Sequence, residues 1–437
     1  MADITFTVPS VLNRGGGEKK IELAASDIAD AFKKVANIMG EDFARRVLED
    51  DGTPRALINI YINGKNARFS DGLNTPLKDG DEIYALPAVA GGSGMSGQDL
   101  DRYSRQIMLE EIGYNGQLAI GRAKICVVGA GGLGNPIAAR LVGMGVGTLR
   151  LVDRDVIELS NLHRQVLFVE DDVGRVKVEA AADHLREMNS SVKIEPLAVS
   201  VNMYNAPDIV DGCDVVIDAL DSVDARYALN RACVKKGIPF VTGAAVATTG
   251  QVFTVLPGKT ACYHCMFPEL DEDSMPTCSI EGVHPPILSM VSAIEVAEAI
   301  AIVQGKKPTL SERMLHMDIR DLDFSFTRTF RAEECSVCGS GQEQEIPRQE
   351  MIVEELCGRG RGKRTFSLTP TQKTDLDVSR ITRTAEGSGF IVDDQGELGL
   401  SVRTNDIAAS FMKGGSAVVV GPRDEKEALE IYRSFLR

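Results

Sequence analysis

The hydrophobic pattern in the middle of the chain predicts a parallel sheet covered by helices. Residues Lys124–Val128 form a short apolar, β-branched run that is typical of a buried strand, and an Ala- and Leu-rich helical pattern follows it after a glycine turn. A second apolar run covers Thr148–Val152, and Lys177–Met188 has helical spacing. Further strands are predicted at Val192–Val199, Asp214–Ala219, Phe240–Gly243 and Gln251–Leu256, and an apolar helix at Ile287–Val303. Strands that alternate with helices predict a doubly wound α/β fold.

The first 92 residues have a different pattern, in which short strands flank a single helix. Strands are predicted at 3–8, Lys19–Leu23, Leu57–Ile62 and Glu82–Leu86. The helix is predicted from Ser26, as its N-cap, to about Ala36. This order of two strands, a helix and two strands in fewer than 95 residues predicts a ubiquitin-like β-grasp domain.

The last part of the chain predicts a small α+β domain. Its pattern indicates strands near Thr365–Leu368, Gly389–Val392 and Ala417–Val420, and a helix at Glu425–Phe435. A polar segment, SGQEQEIPRQE, separates it from the central part. We therefore expect a β-grasp domain at 1–92, a linker at 93–98, the α/β domain at 99–340 and the α+β domain at 350–437.

Composition narrows the class of protein. A chain of 437 residues is long enough for two to four domains, and its net charge of −15 argues against a nucleic-acid or anionic-membrane partner. We find no apolar run of the roughly 18 residues that a membrane helix needs, and no signal-peptide pattern. Nine cysteines, an odd number that includes two C-x-x-C pairs, indicate metal binding in a reducing compartment. These features predict a cytoplasmic protein.

The glycine turn after Lys124–Val128 predicts a nucleotide site. Its sequence GAGGLG fits G-x-G-x-x-G, and the candidate cofactor-binding residues are Gly129, Gly131, Gly132 and Gly134. Glycines let the backbone approach a phosphate closely, and the N-terminus of the next helix favours an anion. Asp153 ends the second strand, where a carboxylate can accept hydrogen bonds from ribose hydroxyls. This pattern suits NAD as well as ATP, and it predicts a Rossmann-like domain.

Three polar residues beyond Asp153 favour ATP. Asn161, Arg164 and Lys177 add an amide and two cations beside the predicted pocket. An enzyme that transfers a nucleotidyl group needs such charges, because negative charge grows on the α-phosphate and on the departing pyrophosphate. The alternative is that Arg164 and Lys177 are solvated surface residues, as most Arg and Lys side chains are.

Four cysteines form a candidate metal site. Cys262 and Cys265 make one C-x-x-C pair, and Cys335 and Cys338 make another, separated from the first by 69 residues. Two such pairs can complete a tetrahedral Cys₄ zinc site, although the gap is longer than in a usual zinc ribbon. Redox exchange is the rival use of C-x-x-C.

Several motifs in the same order resemble the ubiquitin-activating superfamily, and within it the MoeB and ThiF adenylyltransferases. They are RYSRQ, GAGGLG, LVDRD, LSNLHRQ, VGRVKVE and IDALDS, and the resemblance covers about residues 98–340. It implies an enzyme that joins AMP from ATP to the C-terminal glycine of a small ubiquitin-fold protein. It also implies a homodimer in which Arg105 reaches a phosphate in the partner subunit, Mg²⁺ on Asp221, and structural Zn²⁺ on the four cysteines. Asp218 and Asp224 are nearby acids that could take the place of Asp221.

The N-terminal domain resembles the MoaD, ThiS and CysO sulfur carriers, through INIYINGKNARFSDGL and the ending DGDEIYALPAVAGG. The resemblance marks Gly91 and Gly92 as the carrier terminus. Gly92 is bonded to Ser93, however, so it has no free carboxylate. A JAMM-type protease could cut after Gly92, a carrier could arrive in trans while the domain is a relic, or the segment could be a joint between two once-separate chains.

Cys278 lies in a Pro- and Gly-rich stretch that resembles the crossover loop of the superfamily. The resemblance implies a thiolate that captures the activated acyl group, and the alternative is an idle thiol. Cys126, Cys213 and Cys233 fall on apolar faces and are predicted to lie in the core. Cys357 could relay sulfur or be packed, and the short basic segment 358–364 is expected to be solvated. Since the sequence shows no rhodanese signature, a sulfur donor is expected outside this chain.

The combined hypothesis is ATP-dependent adenylylation of a sulfur carrier, which prepares it for thiocarboxylate formation in cofactor or cysteine biosynthesis. A second hypothesis is activation for protein conjugation through a Cys278 thioester. An NAD-dependent oxidoreductase and a non-catalytic scaffold are the alternatives from other classes.

Overall fold

The computed structural model describes residues 1–9, 12–13, 17–55, 58–67, 71–87, 95–268, 270, 281–342, 349–355, 363–372 and 374–436. The chain divides into two compact units, Met1–Arg122 and Ala123–Arg437. The first unit contains one of the described sheets and the second contains two, and each unit has its own buried core.

The first unit contains a five-stranded sheet with the order β2-β1-β5-β3-β4. Its strands are β1 (Ala2–Val8), β2 (Lys19–Ala25), β3 (Ile58–Ile62), β4 (Lys65–Asn66) and β5 (Glu82–Pro87). Helices α1 (Ile28–Met39) and α2 (Glu41–Val47) cover one face, where Phe6 and Phe32 pack edge to face. Strands β1 and β5 are parallel and the other pairs antiparallel. This is the β-grasp fold that the sequence predicts. The N-cap of α1 is Asp27 rather than Ser26, because the Asp27 carboxylate accepts the Asp30 N–H.

Two further helices belong to the first unit. Helices α3 (Gly97–Ile107) and α4 (Gly113–Ile120) share an apolar cluster with the second face of the sheet, which contributes Tyr61 and Tyr84. The Asp101 carboxylate of α3 accepts hydrogen bonds from the Tyr61 hydroxyl at 2.7 Å and from the Asn66 amide at 2.9 Å. Buried hydroxyls and amides need such partners, so these bonds fix α3 on the sheet.

The second unit begins with an eight-stranded sheet of order β13-β12-β11-β10-β9-β6-β7-β8. Its strands are β6 (Lys124–Val128), β7 (Thr148–Asp153), β8 (Lys193–Ala198), β9 (Val215–Asp218), β10 (Phe240–Val246), β11 (Thr249–Val255), β12 (Arg313–Asp318) and β13 (Asp323–Arg328). From β10 to β8 all neighbours are parallel, and β11 to β13 extend the sheet antiparallel. The chain moves from β6 to β7 and β8 on one side and then returns to β9 on the other. The carboxyl end of β6 is therefore a topological switch point, where open α/β sheets bind ligands.

Helices connect and cover these strands. They are α5 (Gly134–Gly143), α6 (Lys177–Met188), α7 (Ala206–Ile209), α8 (Val223–Lys236), α9 (Tyr263–Met266) and α10 (Pro285–Val303). By length and composition α10 could cross a membrane, which corrects the expectation that the chain has no sufficiently apolar segment. Two buried carboxyl groups, Glu295 and Glu298, lie on this helix, and Glu298 accepts hydrogen bonds from Thr254 and Leu310. This helix is therefore anchored to the sheet of its own unit.

The last part of the chain forms an antiparallel six-stranded sheet of order β14-β15-β19-β18-β17-β16. Its strands are β14 (Met351–Glu355), β15 (Thr365–Pro370), β16 (Ile391–Gln395), β17 (Gly399–Arg403), β18 (Ala408–Met412) and β19 (Ala417–Val420), with helices α11 (Val378–Gly387) and α12 (Glu425–Leu436). Apolar residues that alternate along the strands, such as Phe366, Leu368 and Phe411, pack with Ile381 of α11 and Tyr432 of α12. We call β14–β19 with α11 and α12 the C-terminal domain. It has more strands and helices than the sequence predicts.

Candidate functional site

The glycine turn follows β6 at the switch point. Gly129 has φ +103°, and a Cβ on it would collide with the Ala219 carbonyl oxygen of the neighbouring segment. A Cβ on Gly134 would collide with the Gly129 carbonyl oxygen, so the first turn of α5 can close on β6 only with glycine there. A Cβ on Gly132 would lie 2.7 Å from Leu288 and 3.5 Å from the Arg164 side chain. Close packing therefore explains three of the four glycines, whereas a Cβ on Gly131 meets its nearest neighbour, Gln165, only at 4.0 Å.

Asp153, at the end of β7, connects the turn to the loop that follows. One carboxylate oxygen accepts the Ala130 N–H and the other accepts the Asp155 N–H, each at 2.7 Å. Burial raises the pKa of Asp153, while Lys177 and the two backbone N–H groups act in the opposite direction. The carboxylate that the sequence assigns to ribose thus lies beside the glycine turn.

Arg164 and Asn161 lie in the loop between β7 and α6. Arg164 donates to the Ser160 carbonyl at 2.9 Å, and its aliphatic part faces Gly132. Asn161 is buried, and its side-chain oxygen accepts the Glu158 N–H at 3.1 Å. Asn135 of α5 ties this loop to the turn, because it donates to the Ala130 carbonyl at 2.7 Å and accepts the Leu167 N–H at 2.8 Å. The structure therefore brings Arg164 to the glycine turn.

Lys177 is the first residue of α6 and is 5% exposed, which excludes the alternative of a solvated surface lysine. Its Nζ lies 2.9 Å from the carboxylate of Asp155, which is itself buried. Because Asp155 also donates its backbone N–H to Asp153, the lysine is linked through one residue to the carboxylate beside the turn. We call Asp153, Asp155 and Lys177 the edge group.

Asp221, Asp218 and Asp224 follow one another closely after β9, but their surroundings differ. Asp218 is fully buried, lies 2.6 Å from Arg226 and accepts a hydrogen bond from Thr242 at 2.6 Å. Asp221 is exposed, and Ser222 after it caps α8 by accepting the Ala225 N–H. Burial, together with the charge of Glu354, raises the pKa of Asp224. Among the three, Asp218 is thus the one whose charge is already compensated, by Arg226.

The four candidate metal ligands converge. The sulfur atoms of Cys262, Cys265, Cys335 and Cys338 all lie within 4.8 Å of one another, and three of the separations are 3.7, 3.7 and 3.3 Å. Four sulfurs at the usual Zn–S distance of 2.3 Å would lie about 3.8 Å apart, so the donor set fits tetrahedral zinc. Burial acts to raise the pKa of Cys335, but the N–H groups of Cys338 and Val337 lower it to about 7. His264 hydrogen-bonds Ser336 at 3.1 Å instead of joining the sulfurs.

The remaining predicted site residues lie elsewhere. Arg105, in the first unit, donates to the Asn63 carbonyl at 3.0 Å and packs on Gly64. Gly91, Gly92, Cys278 and Cys357 lie outside the described residues. Cys126, Cys213 and Cys233 are buried, as expected for core thiols.

Sequence reasoning missed two polar residues of the site, Asn135 and Arg154. Asn135 lies one residue after Gly134, and Arg154 lies one residue after Asp153. Arg154 donates to Ser200, to Glu354 and to Ser367. The sequence carries one signal for Arg154, its position beside Asp153, but its partners come from segments about 50 and 200 residues away.

Arg164 packs on the glycine turn, and Lys177 is linked to the same turn through Asp155 and Asp153. A doubly wound sheet with a glycine turn at its switch point, and with one cation packed on that turn and another linked to it, defines a Rossmann-like α/β protein with a candidate phosphate site.

Comparison with known proteins specifies the class further. The sequence matches the ThiF family over residues 103–337 and the ThiS family over residues 15–92. The chain belongs to the ThiF family and carries an N-terminal ThiS-family domain. It is 41% identical over 243 residues to the SAMP-activating enzyme E1 of Haloferax volcanii, which covers 55% of this chain and 90% of that protein. It is 31% identical over 345 residues to the sulfur carrier protein ThiS adenylyltransferase of Bacillus subtilis. This match covers 77% of this chain and 99% of that protein.

A third relative is the adenylyltransferase and sulfurtransferase MOCS3 of Caenorhabditis briggsae, which is 34% identical over 69% of this chain and 76% of its own length. Solved structures of Escherichia coli MccB are also similar. One has a TM-score of 0.51 at 25% identity, covering 58% of this chain and 78% of that one. Another, of MccB with AMPCPP and MccA, has a TM-score of 0.50 at 27% identity and covers 55% of this chain and 74% of that one. The relatives named here as adenylyltransferases favour nucleotidyl transfer over NAD chemistry.

Proposed function

We propose that the chain uses ATP to adenylylate the C-terminal glycine of a ubiquitin-like sulfur carrier. One observation carries the proposal: a ThiF-family domain follows a ThiS-family domain in one chain, and the ThiS match ends at Gly92. An enzyme and a protein of its substrate class are thereby joined. The edge group and Arg164 supply the charges that such a reaction needs.

The geometry supports a role for each side chain. The N–H groups of the glycine turn and of the start of α5 face the phosphates, and Asp153 holds ribose. Arg164, Lys177 and Asn161, with Arg105 from the partner subunit of a homodimer, stabilise charge on the phosphates. Asp221 would hold Mg²⁺, which supplies positive charge to the pyrophosphate when bound. Because Asp218 is neutralised by Arg226, exposed Asp221 suits this role better.

In the reaction, a carboxylate oxygen of the carrier's terminal glycine attacks the α-phosphorus of ATP. The bond from the α-phosphorus to the bridging oxygen breaks, and that oxygen leaves with pyrophosphate, so an acyl-adenylate remains. The attacking carboxylate is ionised at neutral pH, so the reaction needs no general base. Positioning and charge stabilisation account for the catalysis.

The substrate and partners follow from the same proposal. The carrier is the chain's own domain after cleavage behind Gly92 by a JAMM-type protease, or a separate carrier in trans. An external donor then supplies sulfur to the adenylate, and the reaction takes place in the cytoplasm. The proposed reaction involves no nucleic-acid or membrane partner.

A second candidate function is activation for protein conjugation, with Cys278 forming a thioester. The similarity to the SAMP-activating enzyme E1 favours it. Cys278→Ala would then abolish transfer to downstream proteins while adenylylation survives.

ATP–pyrophosphate exchange tests the main proposal. It is measured on the chain cut after Gly92, on the uncut chain and on the uncut chain with free carrier. Exchange only after cutting identifies Gly92 as the substrate end, and exchange only with added carrier identifies a substrate in trans. Absence of exchange in all three overturns the adenylyltransferase proposal.

Metal analysis tests the zinc site. We expect the purified chain to contain zinc and Cys335→Ser to lose it, together with a lower melting temperature, because a structural zinc site contributes to folding. His264→Ala is the matched control and should keep its zinc, since its ring hydrogen-bonds Ser336. Equal zinc content in Cys335→Ser and the wild type would contradict the assignment.

A further inference from the structure

The C-terminal domain has one apolar and one hydroxyl-rich sheet face. Because side chains alternate along a strand, the residues between the apolar ones point away from α11 and α12. They include Thr365, Ser367, Thr369 and Ser401, and with Ser416 just before β19 these five hydroxyl residues are at most 8% exposed. Buried hydroxyls need hydrogen-bond partners, and those of Ser367, Ser401 and Ser416 find them on the polar surface that this face meets.

The polar surface it meets is the segment that carries the nucleotide residues. Ser401 donates to the Gly174 carbonyl at 3.1 Å, and Ser416 accepts the Ser200 N–H at 3.2 Å. A Cβ on Gly399 would lie 2.9 Å from Val176, the residue before Lys177. The hydroxyl face therefore packs on the loop before α6 and on the residues just after β8.

Arg154 makes the strongest connection. Its guanidinium lies 2.8 Å from the carboxylate of Glu354 in β14 and 3.2 Å from the Ser367 hydroxyl in β15. The two charged side chains are 19% and 37% exposed, so solvent screens their attraction only in part. Since Arg154 directly follows Asp153, this ion pair holds the backbone at the predicted ribose site.

A second connection lies at the start of α6. The Glu397 N–H donates to the Glu179 carboxylate at 2.6 Å, and Gly396 approaches that carboxylate so closely that a Cβ would collide with it. Glu179 lies in the first turn of α6, two residues after Lys177. The C-terminal domain thus holds both ends of segment 153–179, which begins with the ribose carboxylate and includes both phosphate-binding cations.

We propose that the C-terminal domain is a clamp that positions segment 153–179 for ATP, and that Arg154 and Glu354 are positioning residues in it. The proposal rests on the proposed function, because it assigns ATP to this segment. A segment held before ATP arrives loses less conformational entropy on binding, so the clamp strengthens ATP binding. Neither residue needs to contact ATP.

Two neighbouring glutamates provide the test. Glu354→Gln removes the charge that pairs with Arg154, and Glu355→Gln removes a comparable pair, 2.6 Å from Arg364, on an exposed part of the same strand. We expect Glu354→Gln to bind ATP about fivefold more weakly, measured by calorimetry, as interacting pairs commonly show. In pyrophosphate exchange its KM for ATP should rise while kcat changes by less than about twofold. Glu355→Gln should match the wild type in both.

Hydrogen–deuterium exchange without nucleotide separates this proposal from the proposed function. Segment 153–179 should exchange faster in Glu354→Gln than in Glu355→Gln, whether or not the protein is an adenylyltransferase. The double variant Arg154→Glu with Glu354→Arg restores an ion pair and should recover slow exchange. Unchanged exchange in Glu354→Gln, or equal ATP affinity in the two single variants, overturns the clamp. A wild-type protein that binds no ATP overturns the proposed function and the clamp's role in ATP binding, whereas faster exchange in Glu354→Gln would still show that the C-terminal domain orders the segment.

Discussion

The second unit contains two groups of buried ionisable side chains that pair carboxylates with a cation but have different surroundings. The core group, Asp218, Arg226 and Glu295, lies among β9, α8 and α10, and its guanidinium also donates to the Leu220 and Gly243 carbonyls. The edge group, Asp153, Asp155 and Lys177, lies where β7 ends and α6 begins. In the core group every ionisable side chain is surrounded by protein. In the edge group two backbone N–H groups hold one carboxylate beside the glycine turn.

The difference shows how position decides the use of a charge. Burial acts to lower the pKa of Arg226, but the charge of Asp218 and the Tyr263 side chain raise it above the usual range, so the guanidinium stays charged inside the protein. Loss of one partner of such a pair leaves an uncompensated buried charge. Charges at the carboxyl edge of the same sheet lie where ligands bind. Substitutions in the core group should therefore lower stability, and substitutions in the edge group should lower activity.

The largest effect is expected from Arg226→Leu. It leaves Asp218 buried without its partner, which commonly costs about 3–5 kcal/mol in the free energy of unfolding. Denaturant unfolding measures this loss. Lys236→Met, which breaks a pair with the exposed Asp211, is the control and should change stability little. A similar small loss in both variants would show that the core group contributes no special stability.

Lys177→Met should affect activity more than stability. We expect pyrophosphate exchange to fall by about 100- to 1000-fold, as when a charge-stabilising donor is removed from an active site. The melting temperature should fall less than in Arg226→Leu, because the Asp155 side chain is 11% exposed whereas that of Asp218 is fully buried.

Lys193→Met is the control for this experiment, since its exposed side chain pairs with Glu195 away from the glycine turn. Its exchange rate should equal that of the wild type. A Lys177→Met protein that exchanges pyrophosphate normally would remove the edge group from the proposed mechanism.

Glu295→Gln should have the smallest effect, and the effect depends on pH. Burial and the charge of Asp218 raise the pKa of Glu295 well above its usual value, while Arg226 opposes this shift. Folding therefore favours the protonated carboxyl, and wild-type stability falls as the pH rises above the pKa of the unfolded chain, about 4.3.

Glutamine cannot ionise, so the variant lacks this loss. From pH 5 to pH 8 its stability relative to the wild type should therefore improve steadily, measured by thermal or denaturant unfolding at each pH. A constant difference across this range would mean that Glu295 is ionised in the folded protein.

Local patterns predicted the parallel sheet well. Strand Lys124–Val128 and helix Lys177–Met188 have the predicted bounds, and so has strand Ala417–Val420 of the antiparallel sheet. Buried parallel strands are continuous apolar runs, which are easily recognised. Strands β14, β17 and β18 and helix α11 were missed, because these short segments mix apolar with Ser, Ala or charged residues and their burial depends on what covers each face. β13, whose residues are all exposed, was missed for the same reason.

The candidate site was predicted in part. The glycine turn and Asp153 follow from backbone geometry that only certain residues allow, so their spacing is visible in the sequence. The four cysteines were visible as pairs, but only folding brings the two pairs together. Asn135 and Arg154 were missed because a buried amide and a half-buried arginine have no local signature.

By itself, the sequence determined the β-grasp and doubly wound folds, the position of the glycine turn and the two cysteine pairs, because each depends on near neighbours or on residue types that few others can replace. Only the tertiary structure decided that Lys177 is buried beside Asp155, that Asp218 is neutralised by Arg226, and that the C-terminal domain holds segment 153–179. These contacts join residues up to about 200 positions apart. Their energies depend on distance and burial, which exist only once the chain has folded.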